Sequence, residues 1–427
     1  MENIFKISWK SGKVLKKYKK YKKYKKYKNK YKKHTKMKLA IIRQKYTPYG
    51  GAEKFVSQAL QTLSESDNLE LLLFTRKWQD SSNADNKNKK IFEPIICNPF
   101  YIGSLWRDFA FLKSVERKAK IYQPDLIQSH ERTPFCDIFR AGDGLHQVWL
   151  QERLKHANFW QKLSIKLNPT HWFRLAMEKK LFNSPRLKAV ICISQIVKNE
   201  ILLAYPHISE KLHVIYNAVD CQQFSPKLRK MYRAKICQEL NISQNATIFS
   251  LVGSGYERKG VKTAMLALAK IYKKNNEHGQ LSHLIIVGKD KHLHKYQQIA
   301  KNLNISQQVH FIGGVSDAKP YYAVADIFVL PTLYDPLSNA VLEALACGLP
   351  VLTSEKCGAG EIVKKFSAGL LCPARDENAL AENMLHYISL PEIRTNASKN
   401  ARIAAETLTA ESMRNELVNL YLSLLKN

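Results

Sequence analysis

From Met37 onward, short apolar runs alternate with stretches in which apolar residues recur every three to four positions. The runs predict buried strands at 38–43, 69–75, 125–128 and 189–193, and the periodic stretches predict helices at 51–63 and 106–122. The rhythm restarts at 246–252 and continues through 284–288, 309–312, 327–330 and 351–353. Such alternation predicts parallel sheets covered on both faces, because parallel strands need a crossover, usually helical, between them. The fold class expected is therefore α/β, with two facing Rossmann-like doubly wound domains over 37–217 and 218–395 and a closing helical segment over 396–427. Turn residues Asn217 and Asp220 follow a strand-like 212–215 and put the hinge near 216–220. Ligands of open α/β sheets bind beyond the carboxyl ends of the strands, so the site belongs in the cleft between the two domains.

Length agrees, since 427 residues exceed one ordinary core. No apolar run is long enough to span a bilayer, and the lysine-rich start lacks the apolar stretch of a signal peptide, so a cytoplasmic protein is expected. The eight cysteines form no C-x-x-C pair and read as reduced core thiols. The formal charge of +32 is uneven, for residues 1–36 carry sixteen Lys against one Glu, and 16–33 is a near-repeat of Lys-Lys-Tyr. That repeat lacks aliphatic residues, which predicts a disordered basic tail. It is either a solvated or dispensable run upstream of Met37, or a tether for an anionic membrane surface at about 1 kcal/mol per Lys.

The segment 159–182 interrupts the rhythm. Phe159, Trp160, Leu163, Leu167, Trp172 and Phe173 are interspersed with Lys162, Lys166, Arg174, Lys179 and Lys180, and Pro169 breaks the stretch in two. It reads either as an interfacial helix pair resting on anionic lipid or as an ordinary helical cover over the first sheet.

The loop after the 246–252 strand, Gly253-Ser-Gly255-Tyr-Glu-Arg258-Lys259-Gly260, precedes an apolar helical pattern over 261–271. Glycines let the backbone approach, a helix start offers N–H groups, and adjacent cations neutralise a leaving diphosphate. The third glycine comes too late for a dinucleotide fingerprint, and Val261 stands where a Walker loop needs Lys. The helix dipole disfavours cations at a helix start, so this placement is costly without an anionic ligand. Gly50-Gly51 forms a second glycine turn after the first strand, which by itself is equally a plain strand-to-helix turn.

In Tyr334-Asp-Pro-Leu-Ser-Asn-Ala-Val-Leu-Glu343, two carboxylates stand eight positions apart across a strand-end loop and a helix that Asn339 can cap. By itself such a pair is more often a solvated helix face; between this strand and helix the spacing suits a sugar nucleotide, with Asp335 in reach of a hexose and Glu343 of ribose hydroxyls, since a carboxylate accepts well from vicinal hydroxyls. On the first domain, Asp143 in Arg140-Ala-Gly-Asp-Gly144 is the acceptor-hydroxyl candidate, or else holds its own turn, and His130 after a strand end is a weaker one.

Taken together, Gly50-Gly51, Gly253 to Gly260, Asp335 to Glu343 and Gly358-Ala-Gly360-Glu361 resemble glycosyltransferase family 4, of the GT-B fold, over residues 37 to about 425. The stretches 252–260 and 136–146 are most similar to its lipopolysaccharide core glucosyltransferase I type. The resemblance implies retaining transfer of a hexose, glucose first, from a nucleotide diphosphate sugar, usually UDP-linked, to the lipid-linked core oligosaccharide of lipopolysaccharide or lipooligosaccharide. It implies a diphosphate-binding pair in Arg258 and Lys259, a ribose carboxylate in Glu343 and a donor-sugar contact at Asp335, where the family usually carries Glu. With it come donor-binding backbone at Gly51, Gly253, Gly255, Leu337, Ser338 and Asn339 and a peripheral location on the inner face of the inner membrane.

No D-x-D triplet occurs, so no metal is expected, and no cofactor or nucleic acid either. The rival readings are a transferase for capsule or another surface polysaccharide, and a non-enzymatic protein whose basic tail binds lipid or RNA.

Overall fold

The computed structural model describes residues 37–46, 69–78, 94–155, 157–274 and 281–426. The basic tail, the 51–63 helix and Gly51 lie outside the described residues.

Two parallel sheets form the frame. The first runs in the spatial order 94–96, 69–75, 37–42, 126–129, 138–141, 189–192, 212–214, and the second in the order 309–313, 282–287, 247–252, 327–330, 351–354, 369–372. Every adjacent pair in both sheets is parallel. Strand centres are buried on both faces, as in Leu39–Ile42 and Ile327–Leu330, which is why they read as continuous apolar runs and not as alternating ones. In each sheet the order reverses beside its first strand, between 37–42 and 126–129 and between 247–252 and 327–330. Those two switch points open crevices at the carboxyl ends of the strands, and His130, Gly253 and the 331–338 loop emerge there.

Strand Leu126–Ser129 and strand Ser282–Val287 lie within one or two residues of expectation. Edge strands Pro94–Ile96 and Gly369–Cys372 were not predicted; they are short and part-exposed, so they carry little apolar signal. Seven of the eight cysteines are buried free thiols, and Cys221 is half-buried.

The chain passes between the lobes twice, and the passages touch where Val219 N–H donates to Leu408 O at 2.9 Å. After the second passage, helix Ala410–Lys426 returns to the first sheet. Its Met413, Leu417, Leu420 and Tyr421 pack with Leu39, Ile41 and Ile191. The end of the chain thereby closes the first lobe.

The 159–182 segment forms two helices that cover the first sheet, as one of its expected readings has it. Helix Phe159–Leu167 is closed at its start by a capping box of Asn158 and Gln161, and helix Pro169–Phe182 begins on a Pro at its first position. Glu178, Leu181 and Phe182 are buried as a cover over the sheet, whereas Phe159, Trp160, Leu167 and Trp172 are exposed.

Candidate active site

A cleft of about 1050 Å³ lies between the lobes. Arg258, Lys259, Asp335 and Glu343 all line it, together with Gly253, Leu337, Ser338, Asn339, Asp143 and His130. That volume suits a nucleotide sugar, at the upper end of small-molecule sites. Gly255 is set back from the wall, at the start of the turn that carries the cations.

The glycine loop departs from expectation in one respect. Arg258 and Lys259 do not begin the long helix; they end a separate turn, Tyr256–Lys259, and Gly260 divides it from helix Val261–Lys274. Gly260 has φ +75°, and a Cβ there would fall 2.0 Å from Pro331 O, so only glycine allows the break. Arg258 and Lys259 thus stand at the carboxyl end of one short turn, just ahead of the long helix that Gly260 opens. Gly253 serves another purpose: its missing side chain is the path along which Lys259 reaches the cleft, since a Cβ would lie 2.8 Å from Lys259 Cε.

Lys259 Nζ donates to Asp335 Oδ2 at 2.6 Å, and Arg258 Nη1 donates to the same oxygen at 3.3 Å. Burial pushes the Asp335 carboxyl up, but the Lys259 ammonium and the Arg258 guanidinium outweigh it and hold the group below its ordinary value. The cations and the acid, assigned to separate tasks from sequence, thus form one ion cluster. Arg258 O binds the cluster's two halves, accepting from Leu333 N at 2.8 Å and from Thr332 Oγ1 at 2.8 Å. Gly358 N donates to Asp335 O at 2.8 Å, and a Cβ on Gly358 would meet Pro336 O at 1.8 Å. The glycine pair at 358–360 is therefore a support for the acidic loop.

Glu343 accepts from the Tyr322 hydroxyl at 2.9 Å, on helix Asn339–Ala346. Tyr322 is fully buried, and burial followed by the Glu343 charge raises its pKa, so it stays a donor. Asn339 does not cap this helix as expected. Ser338 takes the cap position without a capping bond, and its buried hydroxyl has no hydrogen-bond partner among the described residues. Asn339 instead accepts from Asn217 Nδ2 at 2.7 Å, and Asn217 accepts from Arg140.

On the first lobe, Asp143 is exposed at the cleft and makes no hydrogen bond to its own turn among the described residues. Neighbouring Gly144, with φ +64°, packs on Tyr334, whose hydroxyl donates to Glu200 at 2.7 Å. His130 is buried, and desolvation with the Arg140 and Arg43 charges holds its pKa well below the ordinary value, so it is neutral. Gln128 Nε2 lies 3.3 Å from His130 Nε2, while Gln128 Oε1 accepts from Tyr421 of the last helix at 2.7 Å. Further bonds join the lobes around the cleft: Ser194 Oγ to Pro336 O at 2.7 Å, and Glu361 to both Gln195 N at 2.8 Å and Tyr216 Oη at 2.6 Å.

Sequence reading missed Tyr322, Asn217 as a side-chain contact, and the Tyr334–Glu200 pair. Each partner lies 21 to 134 residues away, so no local spacing marks them.

Two family models match this chain: "Glycosyltransferase Family 4" over residues 49–223 and "Glycosyl transferases group 1" over residues 233–404. Lipopolysaccharide glucosyltransferase WaaG of Escherichia coli (strain K12) is 23% identical over 87% of this chain and 95% of its own length. The crystal structure of WaaG, described as a glycosyltransferase involved in lipopolysaccharide biosynthesis, superposes with a TM-score of 0.74 at 21% identity, covering 90% of this chain and 99% of that one. Lipopolysaccharide core biosynthesis glycosyltransferase LpsE of Rhizobium meliloti (strain 1021) is 28% identical over 44% of this chain and 52% of its own length. Anabaena HepE, solved in complex with UDP and glucose, gives a TM-score of 0.68 at 20% identity, covering 91% of this chain and all of that one.

Proposed function

This chain belongs to glycosyltransferase family 4, and from that membership we propose that it is a retaining hexosyltransferase acting on the core oligosaccharide of lipopolysaccharide or lipooligosaccharide. The donor is a UDP-hexose, with glucose the first candidate. The observation that carries this reading is the cluster of Arg258, Lys259 and Asp335, lining one interlobe cleft together with a Ser338 hydroxyl that has no partner among the described residues.

In the proposed donor complex, Arg258 and Lys259 hold the diphosphate, and the start of helix Asn339–Ala346 turns its positive dipole end toward it. Ser338 Oγ supplies a further hydrogen bond. Glu343, steadied by Tyr322, takes the ribose hydroxyls. Asp335 lies at the junction of cations and sugar; being one methylene shorter than Glu and buried, it serves the cations first. The acceptor hydroxyl, met by Asp143 and neutral His130, bonds to the anomeric carbon on the face from which the diphosphate departs. Its proton passes to the departing phosphate oxygen, giving the glycoside and the nucleoside diphosphate. Electrostatic stabilisation of that leaving group is the main catalytic term, at about 3 kcal/mol per well-placed donor.

Phe159, Trp160, Leu167 and Trp172, exposed next to Lys162 and Lys166, support a peripheral location on an anionic membrane surface. Phe100, Ile102 and Trp106 are exposed as well, beside them through the Ser104–Thr170 hydroxyl pair at 3.4 Å. No helix among the described residues is long and apolar enough to cross a membrane.

The test is a panel of UDP- and GDP-hexoses, read first by thermal shift and then by transfer to purified core oligosaccharide in the presence of chelator. The expected result is stabilisation by a UDP-hexose and a product with the donor's anomeric configuration. Inversion, strict metal dependence, or transfer only to capsule-type acceptors would refute the corresponding part of the reading.

A further inference from the structure

Arg140, next to the last residue of its strand, is almost fully buried, and its guanidinium donates to the side-chain oxygen of Asn217 at the edge of the first lobe. A guanidinium has donors and no acceptor, so the Asn217 amide has one allowed orientation, oxygen toward Arg140. Its nitrogen end is then the one that faces Asn339, and it donates to Asn339 Oδ1 at 2.7 Å. The same logic passes on one step. With its oxygen facing Asn217, Asn339, the first residue of helix Asn339–Ala346, has its N–H end on the other side of the amide. All three residues line the cleft. Burial lowers the Arg140 pKa to about 9, which still leaves it charged near neutral pH.

We infer that Arg140 and Asn217 are positioning residues that fix the polarity of the Asn339 amide, so that a donor diphosphate meets N–H and not C=O at that point. The inference rests on the donor site proposed above and adds to it a contribution from the first lobe. A flipped Asn217 would set an amide nitrogen against the guanidinium and leave Asn339 to present its oxygen to the phosphates. Because Arg140 lies on the first lobe and Asn339 on the second, the donor contact is correctly poled only while the lobes are apposed.

Asn217→Asp is the discriminating variant. A carboxylate accepts from Arg140 as well as the amide does, yet cannot donate, so Asn339 must turn its N–H end back toward residue 217. The expected result is a rise of about tenfold in donor KM, with acceptor KM and thermal midpoint unchanged. Asn217 acts only through Asn339, so Asn217→Asp should add nothing in an Asn339→Ala background. Equal donor KM in Asn217→Asp and the parent overturns the relay, as do additive effects or a fall in thermal midpoint with donor KM unmoved. A parent chain that binds no UDP- or GDP-hexose by thermal shift overturns the donor site, and the relay with it.

Discussion

Lys259 and Asp335 form a buried ion pair at 2.6 Å, each side chain only 9% exposed. The pair spans 76 residues of sequence and ties the glycine loop to the acidic loop. In the proposed reaction the diphosphate competes with Asp335 for the same cations, so the acid holds them in position when no donor is bound.

Replacing Lys259 by Met should therefore do two things. Turnover is expected to fall about a hundredfold or more, through loss of leaving-group stabilisation. Stability should fall by about 3 kcal/mol, because a buried acid loses its nearer partner and keeps only half-exposed Arg258. Steady-state kinetics and urea denaturation measure the two separately, and normal turnover would remove Lys259 from the site.

The same cluster shapes the response to acid. Burial raises the Asp335 carboxyl, but Lys259 and Arg258 bring its folded pKa below the ordinary 3.8. A depressed folded value means that the stabilisation is complete above the unfolded pKa and disappears as pH falls through the folded one. Unfolding free energy should drop as pH falls below about 4, and Asp335→Asn should flatten that part of the curve while lowering stability at neutral pH. An identical acid slope in the variant would show that Asp335 is not the group responsible.

Tyr322→Phe keeps the ring, which packs against Phe224 and Phe328, and removes only the bond to Glu343. A hydrogen bond to a charged group is worth about 1.5–3 kcal/mol. Donor KM should rise about tenfold or more, with kcat altered less, because the ribose contact is made in ground and transition states alike. A change confined to kcat would place Glu343 elsewhere in the mechanism.

Exchanging Trp160 and Trp172 for Ser should weaken sedimentation with vesicles containing anionic lipid. Both indoles are exposed, so thermal stability should be nearly unchanged. Transfer to a delipidated acceptor should persist, and unaltered vesicle binding would exclude this face as the contact.

Much of the fold was legible because its signals are local. Strands buried on both faces show as apolar runs, crossover helices as a period near 3.6, and the loops between them as glycine and proline. The Gly253 to Gly260 loop and the Asp335 to Glu343 pair were visible for the same reason, each lying within ten consecutive residues. Edge strands 94–96 and 369–372 were not, for their burial is partial. The break at Gly260 was also missed, since a positive φ next to Pro331 depends on a strand end more than seventy residues on.

Composition, period and turn chemistry by themselves determined the class of fold, the two parallel sheets and which loops face the cleft. They could do so because each depends on residues close together along the chain. Only the tertiary structure decided that Asp335 neutralises Lys259 and Arg258, that Tyr322 holds Glu343, that the last helix returns to the first lobe, and that Arg140 orients Asn339 through Asn217. Those relationships join side chains 21 to 122 residues apart, or more for the final helix, and arise only when packing brings distant strand ends to one crevice.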